Sequence, residues 1–124
     1  MMRRFLTSVK YALSGIAIAV RKERNMRIHL IATAAVVLLG LWLRLSPAKW
    51  AVLLGLCGVV IGLELVNTAV ERVVDLVSPE RQPLAKEAKD AAAGGVLAAA
   101  LFAVAAGLVL LGPPLWDKLR DLFG

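Results

Sequence analysis

Apolar residues dominate this chain in long runs, and the polar residues around them fall at helical spacing. Phe5, Val9, Leu13, Ile16 and Val20 recur every three or four residues, with Arg4, Lys10 and Arg21 between them. That pattern predicts an amphipathic helix over residues 3–22. The segment lacks the roughly 20 consecutive apolar residues needed to cross a bilayer. It is expected to lie in the headgroup region with its apolar face down.

Three spans follow. The first covers about residues 28–43 and is a little short, so its helix is expected to extend inward through Arg27 and Arg24, whose long side chains can snorkel. Leu45, Ser46 and Pro47 make a tight turn. The second helix covers about residues 48–77, on the order of 45 Å at helical rise, enough to cross and protrude. Pro79 disfavours helical backbone at Ser78 and ends it. A third helix begins near Leu84 and crosses as the uncharged run 91–111. Pro113 and Pro114 are expected to stop it, leaving a short amphipathic tail over 113–124. The fold class is therefore all-α: one integral membrane domain over residues 1–124, with three transmembrane helices and an N-terminal surface helix.

Composition supports this. Of 124 residues, 60% are hydrophobic, too many for an ordinary soluble domain of this size. The single Cys57 allows no internal disulfide. A net charge of +6 could suggest nucleic acid, but the basic residues cluster at the ends of apolar runs, as membrane-flanking charges do, so no nucleic-acid partner is expected. Seven Lys or Arg precede Ile28, and Arg72, Arg81, Lys86 and Lys89 surround the second loop. The positive-inside rule places both regions in the cytoplasm. Trp42, Trp50 and Trp116 fall at the opposite ends of the spans, where an aromatic belt is expected. Ala91, Gly95, Ala99, Ala103 and Gly107 put small residues at four-residue steps on the third helix, and Gly55, Gly58 and Gly62 do so on the second; both read as helix packing.

One feature resists a packing explanation. Glu64, Asn67, Thr68, Glu71 and Asp75 share one face of the second helix. An ionisable group at membrane depth is costly and marks a functional site by default. Carboxylates at a water–lipid boundary beside basic residues suit Mg²⁺ with a phosphate ligand, since Mg²⁺ takes one or two carboxylates plus substrate phosphates. Glu71 is the better hydrated and a candidate ligand; Glu23, at similar depth before the first span, could complete the site. Glu64 lies deeper, where partial desolvation favours taking a proton from an alcohol. Lys89 is a point charge suited to polyphosphate. His29 reads as an interfacial hydrogen-bonding residue. Arg24, Arg27, Arg72 and Lys86 read as snorkelling anchors. There is no Walker A sequence and no Ser/His/Asp pattern. Two other classes compete with an enzyme: a small proton-coupled transporter, disfavoured because the acids lie at one interface and not at the midplane, and a non-enzymatic assembly protein resting on the small-residue stripe.

The stretch ELVNTAVERVVD from Glu64 to Asp75 resembles the signature of the small prokaryotic diacylglycerol kinase and undecaprenol kinase family. AKDAAAG from Ala88 to Gly94 and ERNMRIH from Glu23 to His29 match it too, and the resemblance covers about residues 4–111. It implies a homotrimer in the bacterial inner membrane, with active sites shared between subunits. It also implies MgATP-dependent phosphorylation of a lipid alcohol. By position, Glu64 is the general base and Glu23 and Glu71 the Mg²⁺ ligands. Lys89, Asp90, Arg4, Tyr11 and, more weakly, Glu80 match nucleotide-side positions. Asn25, Arg27 and His29 lie near the lipid entrance, and Asn67 and Asp75 support the site. The ERNMRIH segment and PLAKEAKDAAAG from Pro83 look closer to the undecaprenol kinase branch, with diacylglycerol the alternative substrate.

Overall fold

The computed structural model describes all residues, 1–124, and consists of four helices: α1 (Met2–Lys22), α2 (Arg24–Leu43), α3 (Pro47–Val77) and α4 (Pro83–Phe123). The last three are long and apolar enough to cross a membrane, and α1 is not among them. The chain is a multi-pass membrane protein with an N-terminal accessory helix.

Each helix end has a local cause. Glu23 breaks α1 from α2 by adopting extended backbone, φ −100° and ψ 119°. Arg27, in the first turn of α2, reaches back and donates from Nη1 to the carbonyls of Arg21 and Val20, at 3.0 and 3.3 Å. It thereby satisfies carbonyls that the end of α1 would otherwise leave open. At the far end of α2, Arg44 turns left-handed, with φ 53°. Its N–H bonds to the Leu41 carbonyl and that of Leu45 to the Gly40 carbonyl, both at 3.2 Å, which is a Schellman closure. Pro47 then opens α3 and Pro83 opens α4, each in the first turn, where the missing N–H costs nothing.

The expectation that Pro113 and Pro114 end the last helix is overturned: α4 runs through them to Phe123. Proline's fixed φ is already helical; what it removes is an N–H, and its ring crowds the carbonyl four residues back. The carbonyls of Val109 and Leu110 lose their helical partners, and the helix carries that loss. The segment beyond is held in place: Lys118 sits over the Trp42 ring of α2, 5.7 Å from its centroid, and Asp117 faces Arg120 at 3.8 Å.

α3 packs along α4 most extensively and α2 lies against both. The interior is a thin line, with nine of 124 residues buried. Four of them, Leu53, Val60, Glu64 and Asn67, form one stripe on α3 that changes from apolar to polar toward the loop between α3 and α4. Val96 and Leu111 of α4 and Met26 and Gly40 of α2 are buried with them. The rest of the apolar surface is exposed, as expected where lipid or neighbouring helices replace water.

A Cβ on Gly55, Gly58, Gly62, Gly95 or Gly107 would meet nothing within 4 Å, so these positions are not close helix contacts within the chain. The glycine that is one lies in α2: a Cβ at Gly40 would fall 2.8 Å from Cη2 of Trp50 and 3.1 Å from the Leu45 side chain. Gly40 thus seats Trp50 of α3 against α2, beside the end where Lys118 meets Trp42.

Candidate active site

The polar half of the α3 stripe sits where α2, the α1–α2 junction and α4 converge. Glu64 is 2% exposed. Its backbone carbonyl accepts the Thr68 hydroxyl at 3.0 Å, a common use of a helical threonine that keeps this hydroxyl out of the site. The Glu64 Oε2 atom lies 3.9 Å from Nε2 of His29 on α2, beyond direct hydrogen-bond range.

One turn along α3, the Asn67 amide donates from Nδ2 to Oε1 of Glu71 at 3.3 Å. Its Oδ1 is buried without any donor. A buried carbonyl oxygen without a partner is costly and calls for an explanation. On the α1–α2 junction, Glu23 accepts from Nη2 of Arg72 at 2.7 Å, a contact spanning 49 residues of sequence. Glu71 lies two turns from Glu64 on the same face of α3, and Arg72 ties Glu23 to that stretch of the helix. Three carboxylates therefore share one electrostatic neighbourhood. Arg72 compensates Glu23, while Glu71 has only the Asn67 amide.

A second cluster adjoins the first, one turn further along α3. Asp75 accepts from Nζ of Lys89 on α4 at 2.8 Å, tying the two helices at the loop end. Lys86 pairs with Asp90 on the exposed side of α4. These four residues and Glu80 line an open cleft of about 730 Å³ over the α3–α4 loop. In the loop, the Ser78 hydroxyl donates to the Glu80 carbonyl at 3.1 Å.

The structure thus brings together Glu23, Glu64, Glu71, Asn67 and His29 in one group, and Asp75, Glu80, Lys89 and Asp90 in the next. It does not bring Arg4 or Tyr11 to either; both are exposed on α1, Tyr11 at 71%, and Arg4 only lends its carbonyl to Ser8. Asn25 is exposed, and Arg27 is engaged with the end of α1. Arg72 and Lys86, expected to be membrane anchors, are paired members of the two clusters. The Glu23–Arg72 pair is invisible in sequence except as opposite charges at matching depth.

No three acidic, histidine or cysteine side chains converge closely enough to chelate a metal by themselves. The donor chemistry nonetheless fits a hard cation that completes its shell with phosphate: Glu71, Glu23 and the orphaned Asn67 Oδ1 are all oxygen donors.

The family profile described as prokaryotic diacylglycerol kinase matches residues 10–111. The chain belongs to the prokaryotic diacylglycerol kinase family. Among curated members of this family, it is 41% identical over 114 residues to the undecaprenol kinase of Bacillus subtilis (strain 168), covering 92% of this chain and 93% of that protein. It is 47% identical over 111 residues to the diacylglycerol kinase of Synechocystis sp., covering 89% of this chain but 63% of that longer protein. The diacylglycerol kinase of Pseudomonas aeruginosa is 32% identical over 112 residues, 91% of its length. As a member of this kinase family, the chain is a membrane-embedded lipid kinase.

Proposed function

We propose that this lipid kinase transfers the γ-phosphoryl group of ATP, in a Mg²⁺-dependent reaction, to the hydroxyl of undecaprenol, with diacylglycerol as the alternative acceptor. The observation that carries the reading is the gap between Glu64 and His29. Two polar atoms 3.9 Å apart, one on a buried carboxylate, can both hydrogen-bond a single hydroxyl oxygen placed between them. Support for undecaprenol comes from the match over nearly the whole Bacillus subtilis protein and from the ERNMRIH segment that carries Glu23 and His29.

In this reading Glu64 accepts the hydroxyl proton as the alcohol oxygen bonds to the γ-phosphorus. The bond from that phosphorus to the β–γ bridging oxygen breaks, ADP leaves, and Glu64 returns the proton to water. His29 orients the hydroxyl. Glu71 and Glu23, with Asn67 Oδ1 beside them, would hold Mg²⁺, which when bound neutralises phosphate charge. Arg72 keeps the Glu23 carboxylate against α3. Lys89 faces the polyphosphate and Asp75 holds its ammonium in place. Asp90 and Glu80 border the nucleotide cleft, and Asn25 and Arg27 border the lipid entrance, where Arg27 also fixes the angle of α1.

Arg4 and Tyr11 would act on the nucleotide from the surface helix within a homotrimer whose sites are shared between subunits. The open faces at Gly55, Gly58, Gly62 and Gly95 suit close approach by neighbouring helices. The N-terminus and the α3–α4 loop face the cytoplasm across the bacterial inner membrane, following the basic residues. Purified protein supplied with MgATP and either undecaprenol or diacylglycerol tests the reading. Phosphorylated lipid supports it, and no lipid product with either alcohol refutes it.

A further inference from the structure

The stretch of α4 beyond its proline pair is amphipathic, and its charges are ordered. At about 100° per residue, Leu115, Trp116, Leu119, Leu122 and Phe123 fall within one arc of about 120°. Lys118 and Arg120 lie about 40° beyond its two edges, one on each side. Asp117 and Asp121 lie on the opposite face. Much of the arc is bare: Trp116 is 70% exposed and Phe123 87%. At the same end of the molecule Trp42 lies under the Lys118 ammonium, and Arg44 and Lys49 flank the α2–α3 turn. That end carries four basic side chains against two acidic ones.

We propose that residues 115–123 dock on an anionic phospholipid surface, with the apolar arc down and with Lys118 and Arg120 reaching lipid phosphates. The prolines supply the bend that this needs. Pro113 and Pro114 straddle the face opposite the arc at helical spacing. A proline ring crowds the carbonyl four residues back, which lies on its own side of the helix, so the helix opens there and bends away. The bend goes toward Leu119, the direction that lays the arc on the membrane. Lys118 stays at the level of Trp42, where an interfacial tryptophan belongs. The order of the charges selects the occupant. Basic residues on both flanks can lay their stems along the arc and hold their cationic heads among phosphates, while Asp117 and Asp121 face away from a surface that would repel them. Paired helices instead gain from opposite charges along the seam. A second copy of this segment would bring cation against cation in either direction of packing.

Spin labels along the segment test the proposal. Asp117, Leu119, Asp121 and Leu122 are replaced by cysteine one at a time in a Cys57→Ala background, since Cys57 is the chain's one thiol. All four positions are exposed, so these substitutions leave the packing intact. The full chain carrying a nitroxide is placed in vesicles of phosphatidylglycerol and phosphatidylcholine in equal parts. Power saturation then reads collisions with oxygen, which enters lipid, and with a water-soluble nickel chelate. Labels at Leu119→Cys and Leu122→Cys are expected to lose the nickel relaxation that Asp117→Cys and Asp121→Cys retain, and to keep that of oxygen. Equal nickel access at all four positions puts the segment in water and overturns the proposal. Shielding of Leu119→Cys and Leu122→Cys from both relaxants puts protein against the arc and overturns it as well. A second measurement tests the charge. With the label at Leu119→Cys, adding Lys118→Gln and Arg120→Gln is expected to lower the ratio of lipid-immersed to water-exposed label about 25-fold, since each basic residue near an anionic surface contributes about fivefold. An unchanged ratio overturns the assignment to anionic phospholipid.

Discussion

The Glu64 carboxylate and the His29 imidazole face one another at 3.9 Å, one from the buried stripe of α3 and the other from the N-terminal half of α2. Neither group satisfies the other by direct hydrogen bonding at that separation. The spacing suits a hydroxyl held between a base and an orienting donor, and the rest of the site is arranged around it.

Of the two carboxylates proposed to hold Mg²⁺, Glu23 is paired with Arg72 whereas Glu71 accepts only from the Asn67 amide, so Glu71 is the freer to bind a cation. Glu71→Gln is expected to shift the Mg²⁺ titration of turnover to higher concentration, by about tenfold or more on the scale seen when a supporting metal-site group is removed. Mg²⁺ titrations of wild type and variant check this. Superimposable curves would remove Glu71 from the metal site.

Asp75 and Lys89 are joined at 2.8 Å across α3 and α4. If Asp75 acts by holding Lys89, then Asp75→Asn and Lys89→Ala each raise the KM for ATP, and the double variant is little worse than Lys89→Ala alone. Such non-additivity is the signature of two groups acting as one. Additive effects would mean that Asp75 works independently of Lys89.

Gly40 is in close contact with Trp50. Gly40→Leu forces the rigid indole away and separates α2 from α3 at the Trp end, with an expected cost of about 1–3 kcal/mol from overpacking. Thermal unfolding in detergent measures it. A Tm equal to that of wild type would show that this contact is dispensable.

Arg44 occupies a left-handed position that glycine takes without a Cβ penalty. Arg44→Gly is expected to stabilise the α2–α3 turn by up to about 1 kcal/mol, the scale of left-handed backbone in an L-residue. The same unfolding measurement applies. A clear loss of stability would mean that the Arg44 side chain contributes more than its backbone costs.

Much of this arrangement is legible in the chain. The ladder from Glu64 to Asp75 follows from helical periodicity alone, and the Glu23 break follows from charge entering just before an apolar run. The pairings Glu23–Arg72 and Asp75–Lys89 are not legible, because they depend on which helix faces turn toward each other. Arg72 follows Glu71 directly, so on an isolated helix it points well away from the ladder, and only the placement of the α1–α2 junction gives it a partner. Pro113 and Pro114 misled for a different reason: the rule that proline ends a helix weighs the missing N–H, whereas here the contacts of Lys118 with Trp42 hold the following turns. Within one chain the close glycine contact is at Gly40, which belongs to no repeat and so is not marked by spacing. The expectations for Arg4 and Tyr11 came from family resemblance, and a single chain leaves both exposed on α1, away from the two clusters.

The most direct test of the account is transfer of labelled γ-phosphate from ATP to undecaprenol by purified wild type and by Glu64→Gln. The substitution keeps the shape of the side chain and removes its ability to accept a proton. Wild type is expected to produce labelled undecaprenyl phosphate, and Glu64→Gln to lose about 10²–10⁴-fold in kcat, the range for a general base. Wild-type turnover by Glu64→Gln would contradict the account.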